Sequence, residues 1–237
     1  MKTFAMVMII FLCSLNVFAF RGDIVIDGLF DDWASIKGYS DDEGDTFGGP
    51  KDDTMDILSY KIANDEKFLY VMVIVKDDIS KGKTSRGAYQ VIIDSDNKYD
   101  TGIQSDKETP YPPHEKPMGV DRYISVETKT GQFLGVGMKG FTKDANEIGG
   151  PGEFELPDSV CNAMVDKNRY ELSADLKNLG INMDSEIRVA LLNYSKDNTV
   201  DWTMPAITYL VTMQRSEKVD ISDKLIATWA RIKNKRN

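Results

Sequence analysis

The chain has 237 residues, 41% hydrophobic and 28% charged, with 29 Lys and Arg against 38 Asp and Glu and a single histidine. A formal charge of -9 excludes nucleic acid as a partner, because phosphate contacts need clustered cations. The two cysteines do not make a disulfide framework, since Cys13 falls in an apolar leader and Cys161 is left alone. Stability therefore has to come from a core, which a chain of this length can build.

The first nineteen residues read as a secretory signal peptide. Lys2 supplies the positive end, Phe4 to Leu12 the apolar stretch, and Val17-Phe18-Ala19 the small-residue cleavage site. That stretch is too short to span a bilayer, and no later run approaches the roughly 18 apolar residues a span needs. The expected location is secreted or periplasmic, and residues 20–237 read as one domain.

Asp23 to Ile26 is predicted as a short strand turned by Asp27-Gly28. Phe30 to Ile36 reads as one or two helical turns with Trp33 facing inward. Tyr39 to Asp53 is a polar, acidic loop. Met55 to Ala63 and Lys67 to Lys76 form a hairpin around Asn64-Asp65-Glu66. Both faces of the second strand are apolar, as in a central strand under a covering element. Ala88 to Ile93 is the next strand. Ile103 to Gly119 is a long loop with four prolines. Val120 to Thr128 pairs with Gln132 to Lys139, and Ser159 to Val165 pairs with Arg169 to Ala174, each pair across a polar turn. Phe141 to Pro157 reads as loop. Leu176 to Leu179 is a turn closed by Gly180. Glu186 to Tyr194 is a strand, Ser195 to Pro205 a polar loop carrying Trp202, and Ala206 to Gln214 a late strand. Ser222 to Ile232 has apolar residues at helical spacing. About ten short strands and almost no helix predict an all-β antiparallel sandwich.

The stretch VIIDSDNKYDTG, Val91 to Gly102, carries the chemistry. A buried-looking strand delivers Asp94, Asp96, Asn97 and Asp100 into a tight turn, with Asp121 opening the next strand. Such acids either hold a hard cation, here Ca2+, or accept from the turn's own N–H groups. The pattern is not an EF-hand, because Tyr99 stands where the sharp turn needs Gly and Ser105 where the bidentate Glu belongs. Asp42, Asp45, Asp56 and Asp201 form a second acidic set, open to the same two readings.

Several segments line up in order: IDGLFDDW (Ile26 to Trp33), DILSYKIANDEKFLYVMVIV (Asp56 to Val75), VIIDSDNKYDTG, GVDRYISVE (Gly119 to Glu127), YELSADLKNLG (Tyr170 to Gly180) and DWTMP (Asp201 to Pro205). The series resembles the family 9 carbohydrate-binding modules and the wider DOMON-like sandwich group over nearly the whole mature chain. The resemblance implies a jelly-roll-like sandwich, bound Ca2+ and, in sugar-binding members, a slot where two tryptophans clamp a sugar. Trp202 falls near one tryptophan position. The other position has Lys83-Thr84-Ser85-Arg86, so the clamp is incomplete unless Tyr111, Tyr39 or Phe47 completes it.

The expected ligand residues are therefore Trp202, Tyr111 and Arg86, and the expected metal ligands Asp94, Asp96, Asn97, Asp100 and Asp121. Trp33 and Trp229 read as core, and Cys161 as a small buried hydrophobe. His114 lacks the partners of a catalytic triad or a zinc site. Some DOMON-related domains carry haem, for which His114 or Met118 would be the axial ligands. No acid stands in an apolar setting that would raise its pKa to make a general acid, so no catalytic set is expected. The leading reading is a secreted, non-catalytic, Ca2+-containing module with a glycan ligand. The alternatives are an extracellular interaction domain without a sugar site and a haem-binding electron-transfer domain.

Overall fold

The computed structural model describes residues 24–104, 118–145, 150–203 and 205–212. The segments holding the leader, Tyr111, His114 and Trp229 lie outside the described residues. In chain order the strands are β1 (Gly38–Ser40), β2 (Ile57–Asn64), β3 (Phe68–Val75), β4 (Gly87–Asp94), β5 (Ile103–Gln104), β6 (Gly119–Val120) and β7 (Arg122–Lys129). They continue with β8 (Gln132–Phe141), β9 (Glu153–Leu156), β10 (Cys161–Asp166), β11 (Arg169–Asp175), β12 (Ser185–Ser195), β13 (Val200–Trp202) and β14 (Ile207–Val211). One sheet has the order β1-β2-β3-β11-β10, the other β13-β12-β4-β7-β8-β9 with β14 on β12, and β5 pairs β6. All pairings are antiparallel, and the fold is the all-β sandwich expected.

The hairpins follow their apolar alternation. β3 buries Leu69, Val71, Val73 and Val75 between the sheets, against Val91, Ile93, Ile124 and Leu191 of the facing sheet. Its other face packs Tyr70 and Met72 against Phe30, Trp33 and Ile36, so the N-terminal segment is the covering element that the two apolar faces of β3 required. Glu171 on β11 anchors that segment. It is fully buried and accepts from Asp27 N at 2.9 Å, Gly28 N at 2.7 Å and Trp33 Nε1 at 2.8 Å.

Several local expectations change. Ile24–Ile26 forms no strand, and Phe30–Ser35 is a 3-10 turn rather than an α-helix. The predicted loop after Phe141 contains β9, and Trp202 lies in β13 instead of a loop. β13 is held from both sides: it pairs with β12, and Phe47 and Val200 exchange backbone bonds of 2.9 Å. The turn Leu176–Leu179 is a short helix, capped by Asp175 and ended by Gly180 at φ 72°.

Candidate functional site

The seven-stranded sheet has an outer face whose occupants follow from register. Trp202 stands opposite Leu192, Leu192 opposite Gln90, and Gln90 opposite Ser125. One step along, Ala190, Ile92, Tyr123 and Lys139 form the next row. Tyr194, Ala88 and Glu127 form the row on the other side. Trp202 packs with Ile92, Met118, Tyr123, Phe141 and Leu192 in a cluster separate from the core between the sheets. It is 8% exposed, so its ring is packed rather than presented in an open slot. Arg86 is exposed and bound to Glu127 through Nε at 2.8 Å and Nη2 at 3.2 Å. That pair fixes Arg86 beside the Glu127 end of the face. Gln90 is 3% exposed, and its Oε1 has no hydrogen-bond donor among the described residues. An unpaired buried amide oxygen is costly and calls for an explanation. In sequence Gln90 shows only as one polar residue inside the run AYQVIID.

The acids of Val91 to Gly102 sit at one end of the same face. β4 ends on Asp94, Asp121 immediately precedes β7, and Arg188 stands opposite Asp94 on β12. Carboxylate oxygens of Asp94, Asp96 and Asp121 lie within 4.8 Å of one another, the span of two oxygens on one Ca2+. Much of their capacity is already used. Lys98 N donates to Asp94 Oδ1 at 3.1 Å and Asp96 Oδ1 at 3.0 Å. Ser95 N and Oγ both donate to Asp121 Oδ2 at 2.9 Å. Arg188 donates to Asp94 Oδ2 through Nε, at 2.9 Å, and Nη2. Burial nevertheless raises the Asp94 carboxyl to about 6 against the pull of Arg188, and it raises Asp121 against the Ser95 bonds. Asn97 is an exposed turn residue at φ 55°. Asp100 is exposed and outside the three-acid group.

The second acidic set closes at the opposite side of β13, with Asp41 in place of Asp42 and without Asp56. Asp41, not Asp42, joins Asp45 and Asp201, again with oxygens within 4.8 Å. Asp201, on the face of β13 opposite to Trp202, is 1% exposed and accepts from Ile57 N at 2.5 Å. Asp56 accepts from Gly44 N at 2.9 and 3.1 Å, and the nearest cation to it is Lys76 Nζ at 3.6 Å. Burial raises Asp201 to about 8 and Asp41 to about 7, with the neighbouring acids adding to both. Asp45 is raised as well, first by burial. The expectation that no acid has a raised pKa is thus corrected: packing brings carboxyls from distant parts of the chain together and buries them. Asp41 also lines a cleft of about 220 Å³ with Tyr39, Ser40, Tyr60, Thr203, Pro205 and Ile207. The Tyr39 and Tyr60 rings stack in it, centroids 5.2 Å apart.

Among the described residues, no helix is long and apolar enough to cross a membrane. No family model matches the chain, and no curated protein matches it.

Proposed function

We propose that this chain is an exported, non-catalytic β-sandwich module that takes a glycan on the outer face of its seven-stranded sheet, with Ca2+ bracing the loops at the end of that face. The observation that carries the reading is Gln90. Its Oε1 is buried with no donor among the described residues, and the residue lies between Leu192 and Ser125, two strands from Trp202 and beside the rows that hold Tyr123 and Tyr194. A sugar that displaces the cover over this face supplies hydroxyl donors for such an oxygen, and its CH-rich face packs on aromatic rings. Arg86 and Glu127 border the same surface as a polar rim. The Asp94, Asp96 and Asp121 carboxylates would hold the cation, and the resemblance to family 9 carbohydrate-binding modules points the same way. Titration with soluble sugars and insoluble polysaccharides tests the proposal. A glycan bound by the native chain and lost in Trp202→Ala, with the fold intact by circular dichroism, supports it. Absence of binding across a broad panel removes it.

A second reading, an extracellular interaction module without a sugar site, is favoured by the 8% exposure of Trp202. Recovery of an envelope protein on the immobilised chain, with no glycan signal, would select it.

A further inference from the structure

We propose that Asp41, Asp45 and Asp201 form a binding site for a divalent cation of Ca2+ type at the wall of the cleft that Tyr39 and Tyr60 line. This site is distinct from the Asp94 group and does not depend on the glycan reading. Three observations carry it.

The first is geometry. Three carboxylate oxygens, two from the Asp41–Asp45 loop and one from β13, lie within 4.8 Å. Ca2+ binds oxygens at about 2.3–2.6 Å, so one ion reaches all three. The second is satisfaction. Asn193 stands directly opposite Asp201 in the β12–β13 ladder, and the two side chains therefore share a face as close neighbours. Asn193 is fully buried, its Nδ2 donates to Met55 O at 2.9 Å, and its Oδ1 has no donor among the described residues. Asp41 Oδ2 is likewise shut off from solvent and has no donor there. A cation satisfies acceptor oxygens that no N–H or O–H reaches. The third is charge. The Asp94 group has the Arg188 guanidinium on it, whereas no ion pair is found for Asp41, Asp45 or Asp201 among the described residues, and the nearby Lys76 is shared by Glu43, Asp53 and Asp56. Converging carboxylates without a cation of their own among the described residues are the circumstance that a divalent ion relieves.

Three carboxylates and one amide oxygen supply fewer than the six to eight oxygens Ca2+ takes. The cleft that Asp41 lines gives room for water or a ligand's hydroxyls to complete the shell. A bound ion also ties the Asp41–Asp45 loop to β13, since both ends of that link are its ligands.

The test uses the full chain stripped with a chelator, and Tb3+ as a luminescent stand-in for Ca2+. Tyr39 and Tyr60 border the site and should sensitise its emission. The expected result is emission that Ca2+ displaces, weakened with Tyr60→Phe. Asp45→Asn should lower Ca2+ affinity by roughly tenfold or more, while Asp96→Asn leaves this signal in place. Asp45 is exposed, so its variant should keep the native circular dichroism. Emission unaffected by both Asp45→Asn and Asp201→Asn would overturn the proposal. So would a chain whose thermal midpoint rises on Asp45→Asn but does not respond to Ca2+, because the acids would then be sharing a proton.

Discussion

Removing divalent cations should make the stability of this chain fall as pH rises, opposite to the usual behaviour of a carboxylate-rich protein. Asp201 has its carboxyl raised from 3.8 to about 8 and Asp41 from 3.8 to about 7, in both cases chiefly by burial. A raised acid binds its proton more tightly when folded than when unfolded. Its contribution is fully present below the unfolded pKa and is lost as pH climbs through the folded one. The window is therefore about pH 4 to pH 8. One pKa unit is worth about 1.4 kcal/mol, so Asp201 alone sets an upper bound on the order of 5 kcal/mol. The two acids oppose each other's ionisation, so their losses overlap. A net loss of about 3–5 kcal/mol corresponds to roughly 10 °C for a chain of this size. Asp77 and Asp78 are lowered by their partners and act the other way, but both are on the surface and contribute little. Thermal melts followed by circular dichroism between pH 4.5 and 8, in chelator, measure the slope. Saturating Ca2+ should flatten it, and Asp201→Asn should flatten it without Ca2+, because an amide oxygen still accepts from Ile57 N. A slope in Asp201→Asn equal to that of the wild type would assign the pH dependence to other groups.

Glu171→Ala strips the acceptor from Asp27 N, Gly28 N and Trp33 Nε1 and should cost about 3 kcal/mol or more. A red shift of the tryptophan emission should accompany the lower midpoint, reporting the release of Trp33. Arg188→Met leaves Asp94 buried without its cation, and a loss of about 3–5 kcal/mol in chelator denaturation is expected, smaller when Ca2+ is added. Gly102→Ala should lower the midpoint by about 2 kcal/mol, read by the same melts. The position sits at φ +65°, and a Cβ there would meet Val120 O at 2.1 Å.

The long hairpins were legible because period-2 alternation and polar turns agree over six residues or more. β2 with β3, β7 with β8 and β10 with β11 fall where the pattern puts them. β5, β6, β9 and β13 are two to four residues long, too short to show a period. Trp202 shows the consequence. In sequence it stands among polar residues, but pairing with Leu192 turns its ring onto an apolar cluster. The second acidic set was visible as composition, while its membership turned on the path of one loop. Asp41 N bonds to Leu58 O at 3.0 Å, and Asp41 is part-buried whereas Asp42 is exposed. Gln90 and Asn193 could not be found by pattern, because an orphaned oxygen exists only once the partners around it are placed.

The glycan face is the central claim, and Gln90 is its sharpest probe. Isothermal titration of the full, Ca2+-loaded chain should be run with the glycan selected from the panel, on the native protein and on Gln90→Leu. Gln90→Leu should fold with an unchanged or higher midpoint, because it removes a buried amide oxygen that has no donor among the described residues. Glycan affinity should drop by roughly tenfold or more, the loss of one buried hydrogen bond of about 1.5 kcal/mol. Equal affinity in the two proteins would contradict that claim.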